Sequence, residues 1–340
     1  MIGIYVTAAW LSRSNPTVLA ELGQEDGGVE WASAWAFLLA AFVYCGRALR
    51  LTEGRILAAL LALGALLIAL EELSWGQRLV GYRPPELFLE SNFQQELNVH
   101  NLVAKAWRMR AFLAVVLGYG VGLRLLTVLA PAQARRFGVL APPWALAPAF
   151  LVTALIFNAR PWHLSGEWAE LGLGIGMLAG ALLIEPSWPR LPPRFLAFTA
   201  PAAVVLCGLL GFGTAWLTAR RASSPALVAQ AQLECYALSD DLRRVPFRSP
   251  RHHRRAYHAV ADRGPQLELT SFRSLIGPAL PEERAQYLLD PWNSPYWVLV
   301  ECPEGGGPCR QVVYSMGPNR RREGRPGDFQ GDDIGVDLEL

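Results

Sequence analysis

Residues 32–220 run as long apolar stretches broken by short polar clusters, whereas residues 221–340 alternate apolar and polar positions in shorter units. A helix that crosses a hydrocarbon core needs about 20 mostly apolar residues. Segments 31–50, 56–75, 109–130, 143–160, 167–185 and 195–219 have that character, which predicts six spans. The opening "MIGIYVTAAWL" is too short to span and lacks the basic start and small-residue cleavage site of a secretory signal, so it predicts an interfacial or partly buried piece. After Arg220 and Arg221 the grammar changes. Leu227, Val228, Ala231, Cys235, Leu238 and Leu242 recur at spacings of three and four and predict an amphipathic helix, with Ser224 and Pro225 at its cap and first turn. "RSPRHHRRAYH" predicts a solvated basic loop, whose arginines would repel a metal from His252 and His253. "DPWNSPY" predicts a proline-rich turn, "YWVLVECPEGGGPCRQVVYSMG" a hairpin around glycines, and the tail "GRPGDFQGDDIGVDLEL" an acidic loop leading into a last strand.

Composition agrees with two environments. The chain is 52% hydrophobic and 18% charged with a mean hydropathy of +0.22, against about a quarter charged for a soluble domain. The expected fold class is an α-helical polytopic membrane bundle of six spans followed by a small α+β domain of one helix and an antiparallel sheet. Its parts are an external N-terminal segment (1–30), the membrane domain (31–221) and an extracytoplasmic domain (222–340). Membrane lipid is the expected solvent. The net charge of +2, with no basic, aromatic-interleaved patch, gives no footing to a nucleic-acid partner. Basic residues set orientation. Arg47, Arg50 and Arg55, then Arg124, Arg135 and Arg136, then Arg190 and Arg194 place three loops in the cytosol and the C-terminal domain outside. Arg78, Arg83, Lys105, Arg108 and Arg110, between the second and third spans, run against that rule. Cys302 and Cys309 bracket "PEGGGP" and are expected either as a disulfide, which an extracytoplasmic domain permits, or as two reduced thiols.

Candidate chemistry gathers on the exterior face. The apolar run 56–70 covers about 22 Å as a helix, short of a core about 30 Å thick, so Glu71 and Glu72 fall within the outer leaflet and need partners. In "NFQQELNVHN", Glu96 and His100 stand four apart, with Gln94, Asn98 and Asn101 as an amide stripe. In "NARPWHLSGEWAE", His163, Glu167 and Glu170 fall at i, i+4 and i+7. Carboxylate and imidazole at helical spacing suit a transition metal such as zinc. Glu96, His100, His163 and Glu167 are its candidate ligands, and Glu72 the candidate catalytic base. The competing reading of the same residues is a buried polar network that holds helices together.

Two resemblances add expectations. "EDGGVEW", "EELSWGQRLVGYRPPE" and "NFQQELNVHN", within about the first hundred residues, resemble a group of uncharacterised multipass bacterial membrane proteins, which implies a shared scaffold and no particular activity. Asp290, Pro291, Trp292, Pro295 and Tyr296, then "YSMGPN" and "GDDIG", resemble the C-terminal domain of the major pseudopilin of type II secretion systems. That likeness implies a calcium ion on the acidic loop, with Asp333 matching a family ligand. Asn319 stands where the family usually has Asp, Gly331 where another acid is common, and Asp328 and Asp332 are the compensating candidates. The alternative is that these acids merely solvate a loop. Unlike a pseudopilin, this chain has other apolar segments before the helix in question and no carboxylate within it. The first functional expectation is therefore an inner-membrane protein displaying a periplasmic domain to envelope protein partners of a secretion or pilus-type machine. The second is a membrane-embedded metal-dependent hydrolase or transferase acting on a lipid-linked substrate. The chain lacks a P-loop, a dinucleotide fingerprint and a nucleophile elbow.

Overall fold

A computed structural model describes residues 1–23, 27–80, 82, 84–92, 96–184, 193–244, 251–262, 264, 267–276, 287–303, 308–318, 322 and 324–339. They divide into two compact units, Met1–Val80 with Pro84–Leu217 and Gly81–Arg83 with Thr218–Leu340.

The first unit is helical: α1 (Ile2–Ser14), α2 (Pro16–Gly23), α3 (Gly28–Arg50), α4 (Arg55–Glu72), α5 (Gln77–Val80), α6 (Glu86–Ser91), α7 (Lys105–Leu117), α8 (Leu123–Leu129), α9 (Pro131–Arg136), α10 (Ala147–Ala159), α11 (Ser165–Leu183) and, up to Leu217, α12 (Pro193–Ala222). Helix α3 packs along both α4 and α11. A π-turn, Gly118–Gly122, joins α7 to α8 and turns Tyr119 inward. Its hydroxyl meets that of Tyr44 at 2.6 Å. The N-terminal piece is partly buried, as expected: Tyr5 is inside, its hydroxyl 2.6 Å from Thr153 Oγ1.

Length and apolarity single out three helices able to cross a membrane: Gly28–Arg50, Lys105–Leu129 and Pro201–Arg220. The expectation of six spans is not met on that criterion, for physical reasons visible in each case. Helix α4 is long enough but carries Arg55, Glu71 and Glu72. The apolar helix through α10 reaches only from Trp144 to Ala159. Helix α11 holds Glu167 and Glu170 in its first two turns. Its glycines allow close packing. A β-carbon at Gly172 would strike the Tyr5 hydroxyl, and one at Gly180 the Tyr119 hydroxyl. Small residues four apart are a common way for membrane helices to approach.

In the second unit α13 (Pro225–Arg243) lies against a four-stranded antiparallel sheet in the order β1 (Arg251–Arg255), β2 (Trp297–Glu301), β3 (Arg310–Ser315), β4 (Ile334–Glu339). Short helices α14 (Ala256–Ala261) and α15 (Thr270–Ile276) complete it. The period-two alternation of strands sends Val298, Val300, Val313 and Val336 toward Cys235, Leu238 and Leu242 of α13. Leu299, Val312 and Tyr314 form a second cluster with Trp297, Met316 and Phe329. The expected hairpin is β2–β3, closed by a Cys302–Cys309 disulfide. The basic segment corrects the sequence reading: Arg251–Arg255 is no loop but an edge strand paired with β2. Charge on an edge strand discourages further strands from adding.

Gly180→Ala should drive Tyr119 off Tyr44 and lower the stability of the full chain in detergent by about 1–3 kcal/mol. Gly166→Ala, where a β-carbon meets nothing within 4 Å, should leave the melting temperature unchanged or raised. Equal melting temperatures for the two variants would contradict this packing.

Candidate functional site

The polar residues of the first unit collect where α4 ends. Three consecutive left-handed residues, Ser74 (φ 46°), Trp75 (φ 53°) and Gly76 (φ 85°), break the helix. Such strain in non-glycine residues persists only where the surroundings enforce it. Here it turns the Trp75 indole back to donate to Glu71 Oε1 at 2.7 Å. It also lets the Ser74 hydroxyl donate to Glu96 Oε2 at 2.8 Å.

Two sets of contacts follow. The first is a buried amide lock. Asn92 donates to the Glu96 carbonyl and to Asn98 Oδ1, each at 2.7 Å, and Leu97 N–H donates to Gln77 Oε1 at 2.8 Å. Asn92, Gln77, Glu96 and Asn98 are all buried. The second is a charged group. Glu71 Oε2 accepts from His100 N–H at 2.9 Å and lies 3.2 Å from its Nδ1. Glu170 hydrogen-bonds Glu72 and interacts electrostatically with His100, Arg108 and Arg160. Arg108 also donates to Asn101 Oδ1 at 2.7 Å, while its buried Nε has no partner among the described residues. Two carboxylates offer only acceptors, so the Glu72–Glu170 contact requires one shared proton. Shared-proton acid, imidazole and two guanidiniums thus meet from α4, the 96–102 turn, α7, the end of α10 and α11.

This differs from the expected zinc set. Glu96 and His100 are not on a helix: the chain there bends and forms only a short 3₁₀ turn, His100–Leu102. Glu96 turns inward to Ser74 and His100 outward to Glu71. His163 is exposed and precedes α11, whose left-handed N-cap Leu164 separates it from the face bearing Glu167 and Glu170. Among the described residues no group of three His, Cys, Asp or Glu side chains is placed to hold a metal ion. Gln94 of the amide stripe and Arg78 lie outside what is described at side-chain level. Asn92 and Gln77 were not legible as site residues, since isolated amides carry no periodic signal. Arg108 read only as a topological charge.

In the second unit the "DPWNSPY" turn is organised by buried Asp290, whose Oδ1 accepts from Trp292 and Ser294 N–H at 2.9 and 2.8 Å and whose Oδ2 accepts from Ser315 at 2.6 Å. Tyr296 donates to Glu234 of α13 at 2.8 Å. Burial first, then nearby Cys235, Glu234 and Asp290, raises the Tyr296 phenol well above its ordinary range. Burial likewise pushes Tyr314 up to about 12. Of the calcium candidates, Asn319 lies outside the described residues. Asp328 accepts from Gln330 at 3.0 Å, Asp333 Oδ2 accepts from Gly324 N–H at 3.0 Å, and Asp332 presses its carbonyl against Gly317. The three carboxylates share one loop but are not among any group of three placed to hold a metal ion among the described residues. Comparison with family profiles, with curated proteins and with solved structures finds no match to this chain. The functional reading therefore rests on the residues themselves.

Asn92→Leu strips a donor from two buried acceptors and should cost about 1–3 kcal/mol. His100→Ala removes an exposed imidazole–carboxylate contact and should cost under about 1 kcal/mol. Thermal unfolding of the full chain compares them, and equal losses would erase the distinction between lock and charged group. The raised phenols set a pH limit. Unfolded tyrosine ionises near 10 and Tyr314 near 12, so the stabilising effect of the neutral phenol is complete below about pH 10 and fades by about pH 12. Tyr314→Phe should flatten stability over that window, and an unchanged slope would contradict the assignment.

Proposed function

We propose that the chain is a multipass membrane protein that holds its C-terminal unit in the extracytoplasmic space for contact with envelope proteins. The observation that carries this reading is the order of parts after residue 193. A helix apolar enough to cross a membrane leads through two residues into α13, and α13 packs on a disulfide-clipped antiparallel sheet. Disulfides persist in oxidising compartments. The helix-to-sheet order is the one that the pseudopilin resemblance implies, and with it come a periplasmic address, secretion or pilus-type partners and calcium on Asp328, Asp332 and Asp333 with Asn319. The six-span topology belongs to the same proposal. It is supported by the exposed stripe Ile56, Leu60, Leu63 and Leu67 on α4, which falls at i, i+4, i+7 and i+11 and faces no protein.

A reporter that is active only outside the cytosol, fused after Leu340, should be active in intact cells. Cytosolic activity there would remove the display reading. Elemental analysis of the full chain after calcium equilibration should find one calcium, and none would withdraw the loop site.

The charged group at the end of α4 favours a second reading, in which this membrane face carries out acid–base chemistry on a lipid-linked substrate. Glu72–Glu170 is the proton donor and acceptor, and Arg108 with Arg160 supplies positive charge for an anionic group. A zinc-assisted form would need ligands beyond those that converge here. Lipid extracts from cells lacking the chain and from cells carrying Glu72→Gln should share an altered lipid-linked species absent from the wild type. Identical extracts in all three would end this reading.

A further inference from the structure

At the end of α3 lies a cavity of about 580 Å³ within the first unit. It is lined by Arg47 and Arg50 from α3, Arg135 from α9, and Glu53, Thr52 and Thr127, with the Thr127 hydroxyl donating to the Arg124 carbonyl at 2.7 Å. The site is built. Gly54 and Gly138, both left-handed at φ 73° and 57°, bring the 51–54 and 137–140 loops into backbone contact so close that a β-carbon on either would strike the other. Arg47 is fixed by donating to the Ile184 carbonyl at 3.0 Å.

What such a cavity takes follows from its lining and its surroundings. Converging guanidiniums and hydroxyls suit a phosphate, and Arg matches phosphate oxygens in bidentate fashion. The residues beside the lining are apolar and exposed: Leu49 next to Arg50, Ile56 two beyond Gly54, and Val128 and Leu129 after Thr127. A soluble anion has no use for that rim, whereas acyl chains do. We propose that this cavity seats the phosphate headgroup of an anionic phospholipid, with its chains along Leu49, Ile56 and Leu129. Basic pockets between membrane helices on the cytoplasmic side are established seats for such headgroups. The inference rests on the membrane reading above and adds a specific lipid ligand at the cytoplasmic end of α3.

The test uses the full chain in nanodiscs and in mild detergent. Wild type and Arg50→Gln/Arg135→Gln are offered equal phosphatidylglycerol and phosphatidylcholine of matched chains, and bound lipid is counted by native mass spectrometry. Wild type should retain phosphatidylglycerol preferentially. The double variant should bind it about thirtyfold more weakly, from about 1 kcal/mol per basic residue near anionic lipid at 1.4 kcal/mol per tenfold. Arg13→Gln/Arg110→Gln, equal in charge loss but outside the cavity and its flanking residues, should bind as wild type does. Arg50→Lys/Arg135→Lys keeps the charge and should recover most of the affinity, which serves if the glutamine variant fails to fold. Equal retention of the two lipids by wild type, or undiminished phosphatidylglycerol in the glutamine variant, overturns the proposal. So does displacement of the lipid by millimolar inorganic phosphate, which would make the occupant a free anion. Loss of lipid preference by a chain that still enters nanodiscs counts against this inference alone, while failure to enter them counts against the membrane reading.

Discussion

The constraint behind everything else is apolar helix surface with no protein to cover it. On α4 the stripe through Ile56, Leu60, Leu63 and Leu67 is exposed, and on α12 a matching stripe runs through Val205, Leu209 and Trp216. Soluble monomers rarely leave such contiguous surface to water. Lipid as the solvent removes the difficulty, and it creates the next one, because the same helices bring charge to their ends. Glu71 and Glu72 cannot stand alone there. The left-handed turn at Ser74–Gly76, the inward Glu96 and the approach of His100, Arg108, Arg160 and Glu170 answer that need.

The two ends of the bundle then differ in kind. One gathers carboxyls, an imidazole and a shared proton, and the other gathers guanidiniums around a cavity. Between them the core is sealed by small-residue contact along α11 and by the Tyr44–Tyr119 hydroxyl pair. The second unit obeys ordinary soluble rules. Its central strands β2 and β3 are buried on both faces, its turn is fixed by a single buried carboxylate, and its hairpin is clipped by a disulfide.

How much of this the sequence made legible depends on the kind of signal. The amphipathic α13, the β2–β3 hairpin and the final strand followed from periodicity. Glu72, His100 and Glu170, which the sequence reading put on one exterior face, interact with one another. Among the described residues the zinc set does not assemble, because i, i+4 spacing brings side chains together only on a helix. Residues 96–102 adopt a turn, and His163 sits before its helix begins. Strand β1 was illegible because "RHHRR" has neither β-propensity nor alternation; its pairing with β2 is a tertiary effect. The basic cavity was hidden because Arg135 lies more than eighty positions from Arg47 and Arg50 and joins them where the loops of Gly54 and Gly138 touch.

The account is tested most directly by a membrane-confined carbene probe activated with the full chain in bilayers, its adducts mapped by mass spectrometry. Adducts on Ile56, Leu60, Leu63 and Leu67 and on Val205, Leu209 and Trp216, with none on α13 or the four strands, are the predicted result. Labelling absent from α4 and α12, or spread onto the sheet, would contradict it.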